Sequence, residues 1–152
     1  MRNFFKAILV SFLMAVVVLP LGAVERSTPE QAVAMVKSAV AYMAANGREK
    51  AFAAFNDPNG QFVKGDLYVM VYDMEGNNRA HGNNPKLIGK NLLEIKDANN
   101  VYIVKKFIEV AKTKGRGWVD YKWPNAVTKA VEDKSTYVEV VGDVLIGVGI
   151  YK

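Results

Sequence analysis

The chain has 152 residues, of which 51% are apolar and 23% charged, and its formal net charge is +5. This composition is that of an ordinary globular domain, and it excludes long disorder, collagen-like chains and low-complexity arrays. The sequence contains no cysteine, which excludes disulfides, thiolate metal sites, iron–sulfur clusters and cysteine nucleophiles. It contains one histidine, so a multi-histidine metal centre is excluded as well. We therefore expect no metal and no other cofactor.

The N-terminal segment has the order of a secretory signal peptide. Arg2 and Lys6 form a short positive start, and an apolar run follows from Ala7 to Leu19. Pro20 stops a helix, and the small residues just after it offer a cleavage site. A transmembrane helix needs about 20 apolar residues, so this run is short for one. An inner-membrane anchor that is not cleaved is the alternative.

These features divide the chain into a signal peptide, residues 1–23, and one mature domain, residues 24–152. We expect the domain to be periplasmic or secreted from a bacterium. Its basic residues are scattered, without a stripe of arginine and aromatic side chains, so nucleic acid is not expected as a partner. No second long apolar run follows the first, and we therefore expect a freestanding exported unit.

Two helices are predicted at the start of the domain. Ser27 as the N-cap, Glu30 as its capping-box partner and Pro29 in the first turn indicate a helix start. The predicted buried face, at the i, i+3, i+7 spacing, consists of Val33, Val36, Val40 and Met43. Gly47 ends this helix with a left-handed cap. A second, short helix is predicted from Arg48 to Phe55.

The apolar period then changes to two, which predicts strands. Residues 67–72 form the first strand, with Tyr68, Met70 and Tyr72 on one face. Residues 79–81 form a return strand, and a loop covers residues 82–91. A helix is predicted from Val101 to Lys114 because its apolar residues return to helical spacing, and lysines lie near its C-terminal end.

Three strands end the chain: Trp118 to Trp123, Lys134 to Val141 and Val144 to Tyr151. A two-residue hairpin turn joins the last two. Gly147 and Gly149 share one face of the final strand, which favours close approach of a helix or a ligand. The element order predicts an α+β domain, with five antiparallel strands and the helices gathered on one side.

Polar and aromatic side chains on the predicted strands form the candidate site. They are Tyr68, Tyr72, His81, Tyr121, Trp123 and Lys134. Each of them, taken singly, fits an ordinary core or surface role. Together they suit a small pocket with aromatic walls and cationic polar ends, which would bind a small carboxylate.

Signatures of enzymes are missing from the sequence. The chain has no glycine-rich phosphate-binding fingerprint and no Gly-x-Ser-x-Gly nucleophile motif. His81 is the single candidate base among histidines, and no nucleophile or orienting carboxylate lies beside it in the sequence. We therefore do not expect an enzyme.

From Pro29 to Lys152 the sequence resembles the single Cache domain. The motifs that carry the resemblance are Tyr72-Asp73-Met74-Glu75-Gly76, Ala80-His81, Leu87-Ile88-Gly89-Lys90-Asn91-Leu92, the run from Gly115 to Pro124, Lys134-Ser135-Thr136-Tyr137-Val138 and Gly147-Val148-Gly149-Ile150-Tyr151. The sequence departs from the family pattern at Gly82, where proline usually follows the histidine, so the identity of the ligand stays open.

The resemblance implies an extracellular relative of PAS domains, with a long N-terminal helix packed on a five-stranded antiparallel sheet. It implies a ligand sensor that binds a small organic acid such as acetate, propionate, pyruvate or lactate. The implied ligand-binding residues are Tyr72, His81, Tyr121, Trp123, Lys134 and Tyr137. Lys134 and Tyr137 are three residues apart and face opposite sides of a regular strand, so we prefer Lys134 for the pocket.

Two functions follow as hypotheses. The first is a sensor-type domain that captures a short carboxylate and reports it to a separate partner, such as a membrane receptor or a kinase. The alternative is an interaction or structural protein that has kept the fold and lost the ligand. In either case a homodimer that pairs through the long N-terminal helix is plausible.

Overall fold

The computed structural model of the protein describes residues 26–152. The predicted signal peptide, residues 1–23, lies outside the described residues, as do the first two residues of the predicted domain. The helices are α1 (Pro29–Asn46), α2 (Arg48–Phe55) and α3 (Ile103–Lys114). The strands are β1 (Val63–Lys64), β2 (Leu67–Asp73), β3 (Asn78–His81), β4 (Arg116–Pro124), β5 (Val131–Val141) and β6 (Val144–Tyr151). The predicted α+β class is confirmed.

Helix α1 begins with a capping box, but not at the predicted residues. Thr28 is the N-cap: its hydroxyl accepts the N–H of Gln31, and the Gln31 side chain accepts the N–H of Thr28 at 2.8 Å. The predicted pair of Ser27 and Glu30 was therefore wrong by one residue. The Ser27 hydroxyl instead donates to the carboxylate of Asp66, which ties the helix start to the turn before β2.

The buried face of α1 is rotated slightly from the predicted one. Val36 and Met43 are buried as predicted, whereas Val33 and Val40 lie half-buried at the edge of the contact. The remaining buried positions are Ala32, Met35 and Ala39. Small alanine side chains at the centre of this face let the helix approach the sheet closely.

The sheet is antiparallel, in the order β1-β2-β6-β5-β4, with β3 also paired to β2. All five predicted strands are present, and the two-residue β1 adds a sixth. The turn at Gly142-Asp143 joins β5 to β6, with Val141 opposite Val144 as the last pair. Gly142 has a φ of 62°, which a non-glycine residue rarely adopts.

The helices cover both faces of the sheet. Helices α1 and α2 pack on one face against Ile146 and Val148, and α3 packs on the other against Leu145 and Val138. The prediction that the helices gather on one side was therefore wrong. Every residue of β6 is buried, because a central strand covered on both faces is apolar at successive positions rather than at alternate ones.

Candidate functional site

The candidate site lies between the sheet and α3, and Lys134 on β5 is its buried charged group. Lys134 is 1% exposed and lies between Tyr121 on β4 and Tyr151 on β6. Its Nζ donates to the hydroxyl of Tyr68 at 2.6 Å and to that of Tyr151 at 3.2 Å. The same nitrogen lies 4.1 Å and 4.4 Å from the two ring centroids, within the range of a cation–π contact.

The charge of Lys134 is only partly compensated. Within residues 26–152, no carboxylate forms an ion pair with it, and the third N–H of its ammonium has no acceptor. Burial lowers the pKa of Lys134 to about 7, although the negative charge of Asp66 opposes this. A buried ammonium with a free N–H is an arrangement that an anion would stabilise.

His81 lies beside this lysine at the end of β3. Its ring packs on that of Tyr68 with centroids 4.9 Å apart, and its Nδ1 accepts the backbone N–H of Asn84 at 3.0 Å. Burial, and then the positive charge of Lys134, lowers the pKa of His81 to about 3. His81 is therefore neutral at physiological pH rather than a second cation. Because Nδ1 is an acceptor, Nε2 carries the proton and is a hydrogen-bond donor.

Aromatic side chains on the same face of the sheet, together with Phe107 of α3, form the apolar wall of the site. Tyr121 on β4 lies between Phe107 of α3 and Trp123, with ring centroids 5.5 Å and 6.2 Å away. The Tyr121 hydroxyl forms a hydrogen bond with the Thr136 hydroxyl at 2.8 Å. Tyr72 on β2 packs on Phe107, with ring centroids 6.1 Å apart, and burial raises the pKa of Tyr72 to about 12. Both tyrosines therefore stay protonated at neutral pH.

One predicted residue does not join the others. Tyr137 on β5 faces α1, on the opposite side of the sheet, where its ring lies 5.5 Å from that of Trp118. Its hydroxyl donates to Glu139 at 3.3 Å. β5 is regular from Lys134 to Tyr137, so the odd spacing places the two side chains on opposite faces.

The cavity in this region is very small. Its free volume is about 10 Å³, roughly that of a single water molecule. It is lined by Tyr68, Met70, Tyr72, His81, Ile95, Ile103, Val104, Phe107, Tyr121 and Trp123. Lys134 is not part of this lining, and it touches the wall of the cavity through the Tyr68 hydroxyl. An organic ligand therefore requires an expanded site.

Three residues of the site were left out of the implied ligand-binding set. Tyr68 was named as a candidate on the predicted strand, where alternation places it on the same face as Tyr72, but it was not among the implied ligand-binding residues. Tyr151 was missed, although the predicted two-residue turn pairs Val141 with Val144 and therefore places Tyr151 opposite Lys134. Gly149 was expected to allow a close approach, and the structure identifies the approaching group as the stem of Lys134.

The close packing around Gly149 provides a test of how Lys134 is positioned. A Cβ at residue 149 would lie 2.3 Å from Cε of Lys134 and 2.4 Å from the Thr136 hydroxyl oxygen. We expect Gly149→Ala to lower the free energy of unfolding, measured in urea, by about 1–3 kcal/mol, since overpacking a filled core has this effect. The control is Gly147→Ala, whose nearest neighbours are 3.2–3.5 Å away and do not include Lys134. Equal losses in the two variants would contradict the prediction.

No group of three or more histidine or acidic side chains that would hold a metal ion occurs between residues 26 and 152. Over the same range, the structure has no helix long and apolar enough to cross a membrane.

Comparison with known proteins relates the fold to a family. The model of the family "Single Cache domain 2" matches residues 27–152. The sensor histidine kinase MctS of Rhizobium johnstonii is 32% identical over 88 residues. That match covers 57% of this chain and 19% of the kinase, so the chain spans under a fifth of this relative.

Solved structures agree with this assignment. A methyl-accepting chemotaxis protein from Vibrio parahaemolyticus matches with a TM-score of 0.71 at 25% identity, over 80% of this chain and 86% of that one. The periplasmic sensor domain of a chemotaxis protein matches with a TM-score of 0.62 at 25% identity, over 80% and 88%. A structure described as the basis for carboxylic acid recognition by a Cache chemosensory domain has the same fold, with a TM-score of 0.63 at 23% identity over 80% and 86%.

These matches confirm the family that the sequence motifs predicted. Single Cache domains are extracellular or periplasmic sensors that bind small ligands and occur in receptors and kinases, and no catalytic activity is indicated for them. The protein belongs to the single Cache domain 2 family and is a sensor domain related to the ligand-binding domains of chemoreceptors and sensor kinases.

Proposed function

We propose that this domain binds a short organic carboxylate between Lys134 and the aromatic wall of the site. The observation that carries the proposal is the buried ammonium of Lys134, which has a free N–H and no carboxylate partner within residues 26–152. A carboxylate would supply both the missing charge and the missing acceptor. The solved Cache domain described as recognising carboxylic acids supports the same ligand class.

The two polar groups of the site have different tasks in this proposal. Lys134 supplies charge, and the Nε2–H of neutral His81 supplies a second, directional donor to the other carboxylate oxygen. The rings of Tyr121 and Trp123 bound the alkyl end of the ligand. A positively charged ligand is disfavoured, because it would lie beside a buried ammonium in an apolar environment.

The size of the site limits both the ligand and its affinity. The present cavity of about 10 Å³ holds roughly one water molecule, so binding must rearrange its lining. The Tyr68 hydroxyl, 2.6 Å from Lys134 Nζ, lies between that nitrogen and the cavity, so it must move aside for a carboxylate oxygen to reach the free N–H. Acetate, with four heavy atoms, gains at most about 6 kcal/mol, which corresponds to a Kd of about 40 μM. Nanomolar binding of acetate would contradict this model.

Location and partners are part of the proposal. Residues 1–23 act as a signal peptide and deliver residues 24–152 to the periplasm or the cell exterior. There the bound state is read by a membrane receptor or a kinase, the kinds of protein in which relatives of this domain occur. A homodimer through α1 would present two copies of the domain to such a partner.

The experiment that tests the function is a thermal-shift screen of the purified protein, freed of bound ligand by partial unfolding and dialysis. The panel contains carboxylates of two to six carbons, the matching neutral amides, amino acids and amines. A ligand that binds only the native state raises the melting temperature with its concentration. We expect a rise with one class of short carboxylate and none with its amide. No rise with any carboxylate would contradict the proposal.

A second function, a ligand-free interaction protein, is favoured by one observation, which is the small volume of the cavity. It predicts no shift in the screen and a stable complex with another protein. Native mass spectrometry and pull-down from a periplasmic extract distinguish the two functions. A protein that carries a bound acid and no protein partner would exclude the ligand-free function.

A further inference from the structure

A small hairpin of residues 95–103 covers one side of the cavity, and we call it the gate. Ile95 and Ile103 lie at its two ends, and both side chains line the cavity. The backbone N–H of Ile103 donates to the carbonyl of Ile95 at 3.2 Å, and that of Asp97 donates to Val101 at 3.1 Å. The gate is therefore a folded unit whose ends both touch the site.

Asp97 is the polar connection between the gate and the sheet. Its Oδ1 accepts the backbone N–H groups of Asn99 at 2.8 Å and Val101 at 2.9 Å, both within the gate. Its Oδ2 accepts the N–H of Lys122 on β4 at 2.8 Å. Partial burial raises the pKa of Asp97, but the hydrogen bonds from these amides outweigh it and lower the pKa, so the carboxylate is ionised.

The strands that bound the cavity are held by more hydrogen bonds, and α3 is held by the five side chains that it buries. β2 and β4 are fixed by ladders to β6 and β5. The chain that precedes the gate is bonded to the β2–β3 hairpin through backbone bonds of Asn78 with Gly89 and Lys90 and of Gly76 with Leu92. Among residues 26–152, the bond from the Lys122 N–H to the Asp97 carboxylate is the only side-chain hydrogen bond that joins the gate to β4.

We propose that Asp97 is a positioning residue that latches the gate to β4 and so controls how fast a ligand enters and leaves the site. The control of ligand exchange rests on the proposed function, whereas the latch itself does not. A cavity of about 10 Å³ cannot admit a molecule of four heavy atoms without opening. Opening at the gate breaks one hydrogen bond to β4, whereas displacing a strand breaks several hydrogen bonds of a ladder and displacing α3 exposes the five side chains that it buries.

The two carboxylate oxygens of Asp97 have different hydrogen-bond partners, so one substitution can remove the bond to β4 alone. In Asp97→Asn the amide oxygen can still accept from Asn99 and Val101, so the gate keeps its internal turn. The NH₂ group that replaces Oδ2 cannot accept from Lys122, so only the bond to β4 is lost. The matched control is Asp57→Asn. Asp57 caps the N–H of Asn59 at 2.9 Å in an exposed turn away from the gate.

The first measurement is amide hydrogen exchange by NMR, which needs no ligand. We expect exchange at the amides of Asp97 and Ile103 to speed up about tenfold in Asp97→Asn, with β5 and β6 unchanged. We expect no change at the gate in Asp57→Asn. Equal gate exchange in wild type and Asp97→Asn would overturn the latch. If Asp97→Asn proves unstable, the same exchange is measured in Asp97→Ser, whose short hydroxyl keeps an acceptor for the turn.

The second measurement is the exchange of propionate, by NMR line shapes. The latch predicts that the association and dissociation rate constants both rise about tenfold. Kd changes less than about threefold, because the bond between Asp97 and Lys122 is made in the closed gate with or without ligand and its loss affects both states alike. A rise in Kd with an unchanged association rate constant would contradict the proposal that Asp97 controls ligand entry. It would indicate that Asp97 has only a structural role. If gate exchange speeds up but neither protein binds any carboxylate, the proposed function fails and the latch stands.

Discussion

We expect Lys134→Met to weaken binding of the active carboxylate by about tenfold or more, since a hydrogen bond to a charged group contributes roughly 1.5–3 kcal/mol. Methionine keeps the length and apolar stem of lysine and removes only the ammonium. The stem therefore still fills the space above Gly149, and the change isolates the charge. Isothermal titration calorimetry with the acid found in the thermal-shift screen measures the loss.

The matched control for this variant is Lys112→Met, an exposed lysine in the last turn of α3. It removes the same charge from the protein without touching the site, so its affinity should equal that of wild type. A thermal melt of both variants establishes that each is folded. If folded Lys134→Met binds the acid as tightly as wild type, Lys134 is not the carboxylate partner and the proposed ligand chemistry is wrong.

We expect the proposed carboxylate binding to weaken as the pH rises above 7. The empty site holds Lys134 with a pKa of about 7, and the carboxylate needs the protonated form. The apparent Kd equals the intrinsic Kd divided by the protonated fraction, so it rises about tenfold between pH 6 and pH 8 and about another tenfold by pH 9. Binding raises the pKa of Lys134, and the complex therefore takes up a proton from solution in this range.

The other titratable groups that face Lys134 do not account for such a slope. His81, with a pKa of about 3, is neutral throughout this range. Burial raises the pKa of Tyr68 well above its usual value and that of Tyr151 to about 12, so both stay protonated. Calorimetry at four pH values, in two buffers of different ionisation enthalpy, measures both Kd and proton uptake. A flat Kd between pH 6 and 9, or the same slope in Lys134→Met, would contradict the assignment.

Local sequence signals located most of the elements of this fold. The two-residue period placed β2, and the turn at Gly142-Asp143 placed the hairpin of β5 and β6, because both depend on neighbouring residues. The helix cap was displaced by one residue, since Ser27 and Thr28 are chemically equivalent caps. Only the position of Asp66 in space makes the first of them a donor to a distant carboxylate.

The candidate site was predicted in composition but not in geometry. Alternation along single strands placed Tyr121 with Trp123 and separated Lys134 from Tyr137, and the structure has both arrangements. Tyr151 could not be found in this way. It lies opposite Lys134 in the β5–β6 hairpin, a pairing that the two-residue turn fixes but that alternation along one strand does not reveal.

The sequence by itself determined the family, the α+β class, the strands and the residue types available for ligand chemistry, because these depend on motifs, on period and on composition. Only the tertiary structure decided that the helices cover both faces, that His81 is neutral and that Lys134 is a buried amine with a pKa of about 7 and no carboxylate partner among residues 26–152. The physical reason is desolvation. The charge state of a side chain depends on the groups that exclude water from it, and here those groups come from β2 as well as from β5 and β6, with Tyr68 on β2 lying 66 residues before Lys134.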